Sequence, residues 1–389
     1  MQLNPRQKET ILGWQHNFHQ YPEVSCEEYQ TAAKISRILS DLGIESQSIG
    51  KTGVVAEIRG TQPGSEPKTL LLRADVDALP MNEINEFPWK SKNPGAAHAC
   101  GHDGHISALL GAAMFLSENP QSFSGTVRLV FQPAEETIGG ALELISQGIL
   151  NGVDRAAGLH FWPALESGKI ACEYLSPMAG CQHVTIRFFG NGGHISVPHT
   201  AHNPLLSAAQ AFVQLQTLIP QQFSPFDELL IGFGKLNGGT QYNIIPEEAT
   251  LDGTIRAFDS RTLEEIRAAV QNTAEHIAAA NRNTCQTSFT DSIPPVENDR
   301  QAVDTAIQAA TRVVGPDHVL TTLLRQFTGD DFANYSVEVP SVYVKIGSCN
   351  PAKPETGNAL HHPGFTLDEQ ALYIATEYFA NYALIYLNQ

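Results

Sequence analysis

The sequence predicts an α/β protein of two domains, in which a larger α/β domain (residues 1–179 and 294–389) is interrupted by a smaller α+β domain (residues 180–293). Three observations support this prediction. A chain of 389 residues exceeds what one hydrophobic core usually organises. Apolar strands alternate with amphipathic helices through the first part of the chain. The order then changes to strand, helix, strand, strand, helix and strand, which is typical of a ferredoxin-like sandwich.

The elements of the larger domain follow from periodicity and turn residues. Apolar positions at three- and four-residue spacing predict helix over residues 5–42, interrupted by the turn-like HQYPEVS and ended at Gly43. GVVAEIRG and TLLLRADVDALP predict a pair of strands separated by the loop TQPGSEPK. The chain then predicts, in order, the helix HISALLGAAMFLSEN, the strand GTVRLVFQPAEE, the helix GGALELISQGIL and a short strand, AAGLHFWP, that ends at His160. After the insertion it resumes with a helix, the strand VEVPSVYVKIG, a loop to His361 and the helix TLDEQALYIATEYFANYALIYL.

Composition excludes several classes of partner. The formal net charge is -17, and no cluster of Lys and Arg offsets it locally, so nucleic acid and anionic membrane surfaces are not expected partners. The N-terminus lacks the apolar core of a signal peptide, and no run of about 18 apolar residues occurs. The 6 cysteines are scattered, without the dense spacing of a disulfide framework. We therefore expect a cytoplasmic protein.

The segment HACGHDGH, residues 98–105, concentrates side chains that bind metals. Cys100 and His102 stand at i and i+2, and both can face one ion from a loop. A thiolate, imidazoles and carboxylates together suit Zn, Mn, Co or Ni, and two such ions can share a bridging ligand. On these residues alone, a lone thiol beside exposed or hydrogen-bonded histidines remains an alternative.

Candidate ligands also lie at the ends of three predicted strands. These are Asp75 with Asp77, Glu135 with Glu136, and His160. Because open α/β sheets bind ligands beyond the carboxyl ends of their strands, we expect these residues to converge on one site. Adjacent carboxylates near a metal can divide the work, one binding the ion and the other acting as general base. A helix N-terminus is the alternative for the Glu pair, and a solvated strand end is the alternative for the Asp pair.

Eight motifs in a fixed order carry a resemblance to a known family. They are ADVDALP, HACGHDGH, FQPAEE, GLH, GGHISVPH, NIIPEEA, GTIRAF and ALHHPGFTLDE. Together they resemble the M20 metallopeptidase family, within its D branch of N-acyl amino acid amidohydrolases, over nearly the whole chain. The resemblance implies a di-metal aminopeptidase-like catalytic domain interrupted by a lid and dimerisation domain. It also implies two divalent metal ions per chain and a homodimer formed through the lid.

The resemblance further implies which residues bind the metals. The implied ligands are Cys100, His102, Glu136, His160 and His361. Glu135 is the implied catalytic base. His362 stands beside His361 and leaves the register open by one residue, although the order Ala-Leu-His favours His361.

The remaining polar residues near the motif are assigned supporting roles. Asp75 occupies the position where other branches of the family have a ligating His, and Cys100 then supplies the replacement ligand. Asp77 fits a role in orienting a ligand imidazole through its other N–H. For His98, Asp103 and His105 we expect positioning, helix capping or packing rather than metal binding.

In the smaller domain, the resemblance implies residues that contact the substrate. His194 reaches into the partner subunit's site to polarise the scissile carbonyl, Asn243 assists, and Arg256 binds the substrate carboxylate. From the residues alone, GNGGH can be a glycine turn, Asn243 a cap or turn residue, and Arg256 half of a surface ion pair. The roles of His199 and His202 stay open.

The function implied is metal-dependent hydrolysis of the amide bond of N-acyl amino acids, releasing a carboxylic acid and a free amino acid. Glu135 accepts a proton from a metal-activated water and then protonates the departing amine. The metal and His194 stabilise the oxyanion. A dipeptidase or carboxypeptidase of the same family is the first alternative. The second is a non-catalytic metal-binding regulatory protein, which the intact Glu135 speaks against.

Overall fold

The structure is a computed structural model that describes residues 2–63 and 67–389. Residues 64–66 of the predicted loop TQPGSEPK lie outside the described residues. The chain divides into two compact units, the first comprising Met1–Pro177, Glu297–Leu324 and Asn334–Gln389, and the second Met178–Val296 and Arg325–Ala333. Residues 325–333, which the sequence analysis assigns to the larger domain, therefore group with the second unit. The division into catalytic and lid domains stays a prediction.

The first unit is built from a mixed sheet and the helices that pack on it. Its helices are α1 (Pro5–Gln20), α2 (Tyr29–Asp41), α3 (His102–Glu118), α4 (Gly140–Ser146), α8 (Arg300–Val314) and α10 (Glu369–Leu387), with the short α9 (Ala333–Ser336) where the chain returns. Its strands are β1 (Ser46–Ile49), β2 (Gly53–Arg59), β3 (Thr69–Asp75), β4 (Thr126–Gln132), β5 (Arg155–Glu166), β6 (Ile170–Ala171), β13 (Val319–Leu320) and β14 (Ser341–Cys349).

The sheet has the strand order β1-β2-β4-β3-β5-β14-β6-β13. Its central strands β4, β3, β5 and β14 run parallel, so their carboxyl ends point to the same edge. Helices α3 and α10 are buried on nearly all sides and pack in the core of this unit. Such helices are apolar all round rather than amphipathic. The sheet thus brings the ends of β3 and β4 together, as the sequence analysis expects.

Two strand predictions are wrong. The strands β2 and β3 are not paired with each other, because β4 lies between them: Val54 and Ala74 both face Phe131 of β4. The residues Leu70–Leu72 of β3 are fully buried, and so buried a strand needs a neighbouring strand on each side. A hairpin of β2 and β3 at the edge of the sheet would supply only one. The strand that carries His160 does not end there. It continues to Glu166 because β14 pairs with it beyond that point.

The second unit contains a four-stranded antiparallel sheet of order β12-β7-β11-β9 with helices packed on it. Its elements in chain order are β7 (Gly180–Phe189), β8 (Gly193–His194), α5 (Pro204–Gln216), α6 (Leu218–Gln222), β9 (Leu229–Gly238), β10 (Ile244–Ile245), β11 (Glu248–Ala257), α7 (Ser260–Ala280) and β12 (Thr284–Ile293). This order and pairing confirm the predicted ferredoxin-like α+β fold. None of the helices in the described part of the chain has the length and apolar character of a membrane-spanning helix.

Candidate metal centre

Cys100 and His102 lie where a loop turns into α3, as the sequence analysis expects. Gly101 between them has φ 88, a left-handed conformation that glycine adopts without strain. His102 is then the first residue of the helix. The Sγ of Cys100 lies 3.5 Å from Nε2 of His160, which is contributed by β5. The turn at Gly101 therefore directs the Cys100 thiol into the buried space that also holds the His160 imidazole.

Two groups of potential ligands share the Cys100 thiol. In each group, one ligand atom per residue lies within 4.8 Å of the others: Cys100, His102 and His160 form one group, and Cys100, Glu136 and His361 the other. His361 Nε2 lies 3.3 Å from Glu136 Oε2. The structure thus brings together the five residues predicted as ligands. A thiol, imidazoles and a carboxylate at these separations suit two divalent ions that share a ligand.

Buried atoms without partners support metal binding. Among the described residues, His102 Nε2 and Glu136 Oε1 are buried and have no hydrogen-bond partner. They lie 3.9 Å apart. Buried polar atoms are nearly always hydrogen-bonded in folded proteins, so two such atoms facing each other indicate a missing partner. A divalent cation bound between the two atoms would give each of them a partner.

The charges around the cluster also favour a cation. Burial alone would lower the pKa of His102, but the carboxylates of Asp75, Asp77 and Glu136 raise it to about 10. Burial, and then the neighbouring carboxylates, raise the pKa of the Cys100 thiol well above its ordinary value. The negative charge of these carboxylates, which favours the protonated forms of His102 and Cys100, would equally stabilise a divalent ion. Binding of the ion is what converts a buried thiol to a thiolate ligand.

Asp77 orients His102. The Nδ1 of His102 lies 2.9 Å from the Asp77 carbonyl oxygen and 3.4 Å from its carboxylate, which leaves Nε2 directed at the ligand cluster. The carboxylate Oδ2 accepts hydrogen bonds from the Ser25 hydroxyl, at 2.7 Å, and from the backbone N–H of Glu136, at 3.0 Å. Both Asp75 and Asp77 are buried, so the alternative of a solvated strand end is wrong. No local sequence signal points to Ser25 as a partner of Asp77.

His105 is held by the protein at both ring nitrogens. Its Nδ1 lies 2.5 Å from Asp75 Oδ1, and its Nε2 accepts the backbone N–H of Phe161 at 3.2 Å. The second carboxylate oxygen of Asp75 accepts a hydrogen bond from Arg73 at 2.5 Å, in an ion pair that is fully buried. Although Asp75, His102 and His105 cluster closely, His105 has no nitrogen left for a metal. The expected packing role fits this geometry.

Asp103 lies beside the centre in a buried ionic network, and the ring of His98 lies 6.5 Å from that of His19 in this network. The Asp103 carboxylate accepts a hydrogen bond from Gln15 at 2.6 Å and faces His19 Nδ1 at 2.8 Å. The other nitrogen of His19 lies 3.0 Å from Glu83. His98 is buried, and its ring nitrogens have no hydrogen-bond partner among the described residues. Burial lowers the pKa of His98 to about 4.

Glu135 and Glu136 follow β4 on a strained turn. Ala134 has φ 55, a left-handed conformation that costs a residue with a Cβ about 1–2 kcal/mol. The alternative that this acidic pair starts a helix is wrong, because α4 begins only at Gly140. Instead, both carboxylates cluster with His102 within 4.8 Å. Glu135 thus lies next to the candidate ligands but outside the two groups that share Cys100.

The structure separates His361 from His362. His361 has φ 64, and its backbone N–H donates to the carbonyl of Ala99 at 2.8 Å. This turns its imidazole toward Glu136. His362 Nδ1 instead accepts the N–H of Gly364 at 3.0 Å, which stabilises the local turn. The geometry supports the register in which His361 is the ligand.

The residues predicted to contact substrate lie in the second unit. His194, in β8, pairs with Ile244 of β10, and the Asn243 carbonyl accepts the N–H of Ile195 at 3.2 Å, so His194 and Asn243 are neighbours. Ser196 donates its backbone N–H to His194 Nδ1 at 3.1 Å, which leaves the ring proton on the other nitrogen, Nε2.

The other predicted side chains of this unit occupy different positions. Arg256, half-buried on β11, donates to the carbonyl of Phe327 rather than to a carboxylate, so the surface ion-pair alternative is not what the structure contains. His199 is exposed, and the backbone of His202 pairs with that of Asn191.

Comparison with known proteins places this site in context. Residues 71–385 match the sequence profile of Peptidase family M20/M25/M40. An N-acetyl-L-cysteine deacetylase of Bacillus subtilis (strain 168) is 36% identical over 374 residues, which cover 95% of this chain and 86% of the relative. Thermostable carboxypeptidase 1 of Saccharolobus solfataricus is 33% identical over 374 residues, covering 93% of this chain and 91% of the relative.

A solved structure resembles the whole chain. It is a Bacillus subtilis protein described as a dinuclear metal binding peptidase from the M20 family. The TM-score is 0.86 at 32% sequence identity, and the match covers 99% of both chains. The fold described above is therefore one that occurs with a dinuclear metal site.

Proposed function

The chain belongs to peptidase family M20/M25/M40 and is a metal-dependent amidohydrolase, and from that premise we propose that it hydrolyses N-acyl amino acids to a carboxylic acid and a free amino acid. The observation that carries the proposal is the pair of ligand groups sharing Cys100, with Glu135 beside them. The relative named N-acetyl-L-cysteine deacetylase supports an acylated amino acid as substrate.

Each residue of the centre has a distinct task in this proposal. Cys100, His102 and His160 would hold one divalent ion, and Cys100, Glu136 and His361 the other. When bound, such ions supply Lewis acidity and lower the pKa of water. Glu135 accepts the proton of the attacking water and returns it to the departing amine nitrogen. Asp77 fixes the ring orientation of His102.

The second unit would supply substrate contacts. Because Ser196 occupies Nδ1 of His194, the exposed Nε2–H is the group that can donate to the substrate carbonyl as negative charge develops on it. Arg256 would bind the substrate carboxylate through guanidinium N–H groups other than the one bonded to Phe327. Asn243, beside His194, would assist. Following the resemblance, we propose that His194 acts on the partner subunit's substrate.

A homodimer through the second unit is part of the proposal. β9 is the edge strand of the four-stranded sheet, and its residues Lys235–Gly238 are exposed. Leu206 and Val213 on α5 are also exposed, at 49% and 64%. An open strand edge together with exposed apolar side chains is a surface that a second copy of the chain can cover. A cytoplasmic location also belongs to the proposal, since a reducing compartment keeps a thiol such as Cys100 available.

The test compares two substrates that differ only in a free amino group. Purified protein with Mn²⁺ or Zn²⁺ is assayed on N-acetyl-L-phenylalanine and on glycyl-L-phenylalanine, and N-acetyl-L-cysteine and N-benzoylglycine extend the panel. We expect kcat/KM for the acetylated substrate to exceed that for the dipeptide at least tenfold. Hydrolysis of the dipeptide alone would overturn the proposed substrate class.

A peptidase is the second candidate function. It is favoured by the similarity to a thermostable carboxypeptidase over most of both chains. The same centre can cleave a peptide bond, since the scissile group is an amide in both cases. A dipeptide rate equal to or above that of the acetylated substrate would favour this candidate.

A further inference from the structure

Glu28 is a buried carboxylate that the proposed roles do not use. It occupies the N-cap position of α2, yet its side chain makes no hydrogen bond to that helix. Its exposed fraction is 0%. Because a buried carboxylate is costly unless hydrogen-bond donors surround it, the donors around Glu28 indicate what it holds in place.

Three donors point at the Glu28 carboxylate. The backbone N–H groups of Cys26 and Ala134 donate to Oε1 over 2.9 and 3.0 Å. The hydroxyl of Thr52 donates to Oε2 over 2.6 Å. The bond to Ala134 joins residues 106 positions apart in the sequence. Glu28 therefore ties the loop before α2 to the turn that follows β4.

That turn needs an external anchor. Ala134 is held at φ 55, and a residue with a Cβ keeps this conformation only when its surroundings fix it. Its carbonyl accepts the N–H groups of Gly139 and Gly140 at 3.4 and 3.2 Å. On the other side, its N–H is fixed by Glu28. Since Glu135 is the next residue, the direction of its side chain depends on both anchors.

We infer that Glu28 is a positioning residue for the metal centre, which holds the turn at Ala134 so that Glu135 and Glu136 face the ligand cluster. The inference rests on the proposed roles of these two carboxylates, Glu135 as base and Glu136 as ligand. A displacement of about 1 Å at a reacting group can cost two orders of magnitude in rate. Loss of the anchor should therefore act on turnover and metal retention rather than on substrate binding.

Glu23 provides a matched control in the same loop. Its carboxylate also accepts three hydrogen bonds, from the backbone N–H of Gln30 and from the backbone N–H and hydroxyl of Thr31. Those donors belong to the first turn of α2. Glu23 thus supports the helix, whereas Glu28 supports the turn before the acidic pair.

The experiment compares Glu28→Leu, Glu28→Gln and Glu23→Leu with the wild-type metal-loaded enzyme. We measure kcat and KM for N-acetyl-L-phenylalanine, and Mn²⁺ retention against a chelator, at a temperature where all variants are folded. Glu28→Leu should lower kcat at least tenfold and weaken Mn²⁺ retention at least tenfold, with KM changed less than threefold. Glu28→Gln keeps an acceptor oxygen and should recover kcat to within about threefold of wild type. Glu23→Leu should leave both readouts within about twofold.

Two results would overturn the inference. One is a folded Glu28→Leu with wild-type kcat and Mn²⁺ retention, and the other is an equal loss in Glu23→Leu. If Glu28→Leu does not fold, Thr52→Val decides: a kcat lowered threefold or more supports the inference, and an unchanged kcat rejects it. Glu135→Gln, run in parallel, tests the proposed function separately, because full activity in that variant rejects the base whatever Glu28 does.

Discussion

His105 donates a hydrogen bond from Nδ1 to Asp75 Oδ1 across 2.5 Å, while its other nitrogen accepts the N–H of Phe161. The proton on Nδ1 is therefore fixed by the protein. On its other oxygen, Asp75 pairs with Arg73, and both side chains are almost completely buried. Asp75 thus joins the buried Arg73 guanidinium to the imidazole that packs beside the candidate metal ligands.

The first prediction concerns this buried pair. Asp75→Asn removes the negative charge facing Arg73, and breaking a buried ion pair from one side costs about 3–5 kcal/mol. We expect the free energy of unfolding, measured by urea denaturation, to fall by that amount. The control is Glu57→Gln, which removes the partner of Arg128 in a partly exposed pair and should cost less than about 1 kcal/mol. Equal losses in the two variants would contradict the prediction.

The second prediction concerns the base. If Glu135 is the base, Glu135→Gln removes the proton acceptor but leaves the candidate ligands intact, so we expect kcat to fall by about 10²- to 10⁴-fold. Metal analysis should still find about two ions per chain. Undiminished hydrolysis would reject Glu135 as the base, whereas loss of metal together with activity would indicate that it is a ligand.

The third prediction concerns the shared thiol. Cys100 belongs to both ligand groups, so Cys100→Ser should weaken both sites, and we expect less than one ion per chain after dialysis against a chelator. Turnover should fall in parallel. The matched control is Cys285→Ser, at a half-buried thiol of β12 in the second unit. A Cys100→Ser protein that keeps its full metal content would show that the sulfur is not a ligand.

The fourth prediction concerns pH. Burial alone would lower the pKa of His19, but Asp103 and Glu83 raise it to about 9. A pKa raised in the folded state stabilises the protein below the unfolded value of about 6.5, and this contribution is lost as pH rises through about 9. The difference in unfolding free energy between wild type and His19→Gln should therefore shrink by about 3 kcal/mol across that window.

The control for this measurement is His276→Gln. His276 is exposed on α7, so its replacement removes an imidazole without touching the buried pairs of His19. A difference between wild type and His19→Gln that stays constant from pH 6 to pH 9.5, or grows, would contradict the assigned charge of His19.

The fifth prediction concerns the dimer. If His194 acts on the partner subunit's substrate, a mixture of inactive His194→Ala and inactive Glu135→Gln chains should regain activity after subunit exchange. Half of the dimers formed from equal amounts are mixed and carry one complete site, so about a quarter of wild-type activity is expected. Exchange demonstrated by mass spectrometry without recovered activity would rule out action in trans.

Much of the fold could be predicted from the sequence because its signals are local. The α3 start within HACGHDGH and the order of strands and helices along the second unit follow from periodicity and turns. The position of β4 between β2 and β3 could not be predicted, since pairing across the sheet leaves no local trace in either strand. The continuation of β5 past His160 depends on β14, nearly two hundred positions later in the chain.

Cys100, His102, Glu136 and His160 could be named as candidates because they stand in the HACGHDGH segment or at strand ends, whereas the full ligand set with His361 came from the resemblance of the ordered motifs to the M20 family. The residues that hold these candidate ligands in place could not be predicted from the sequence. Ser25 and Glu28 lie in a polar loop where an acid or hydroxyl is expected simply because a helix begins there. Whether His105 binds a metal or packs is decided by the N–H of Phe161, which carries no sequence signal at all.

The placement of β14 has a consequence for how the protein forms during synthesis. This strand, residues 341–349, lies between β5 and β6, and His361 follows it. The ribosome must therefore release the chain beyond residue 349 before the first unit can close its sheet, whereas the described strands of the second unit lie within residues 180–293 and are available earlier. The second unit can fold while the edge of β5 is still unpaired, because β14 has not yet been synthesised. Nascent chains cut short before residue 341 would expose that edge to chaperones and proteases.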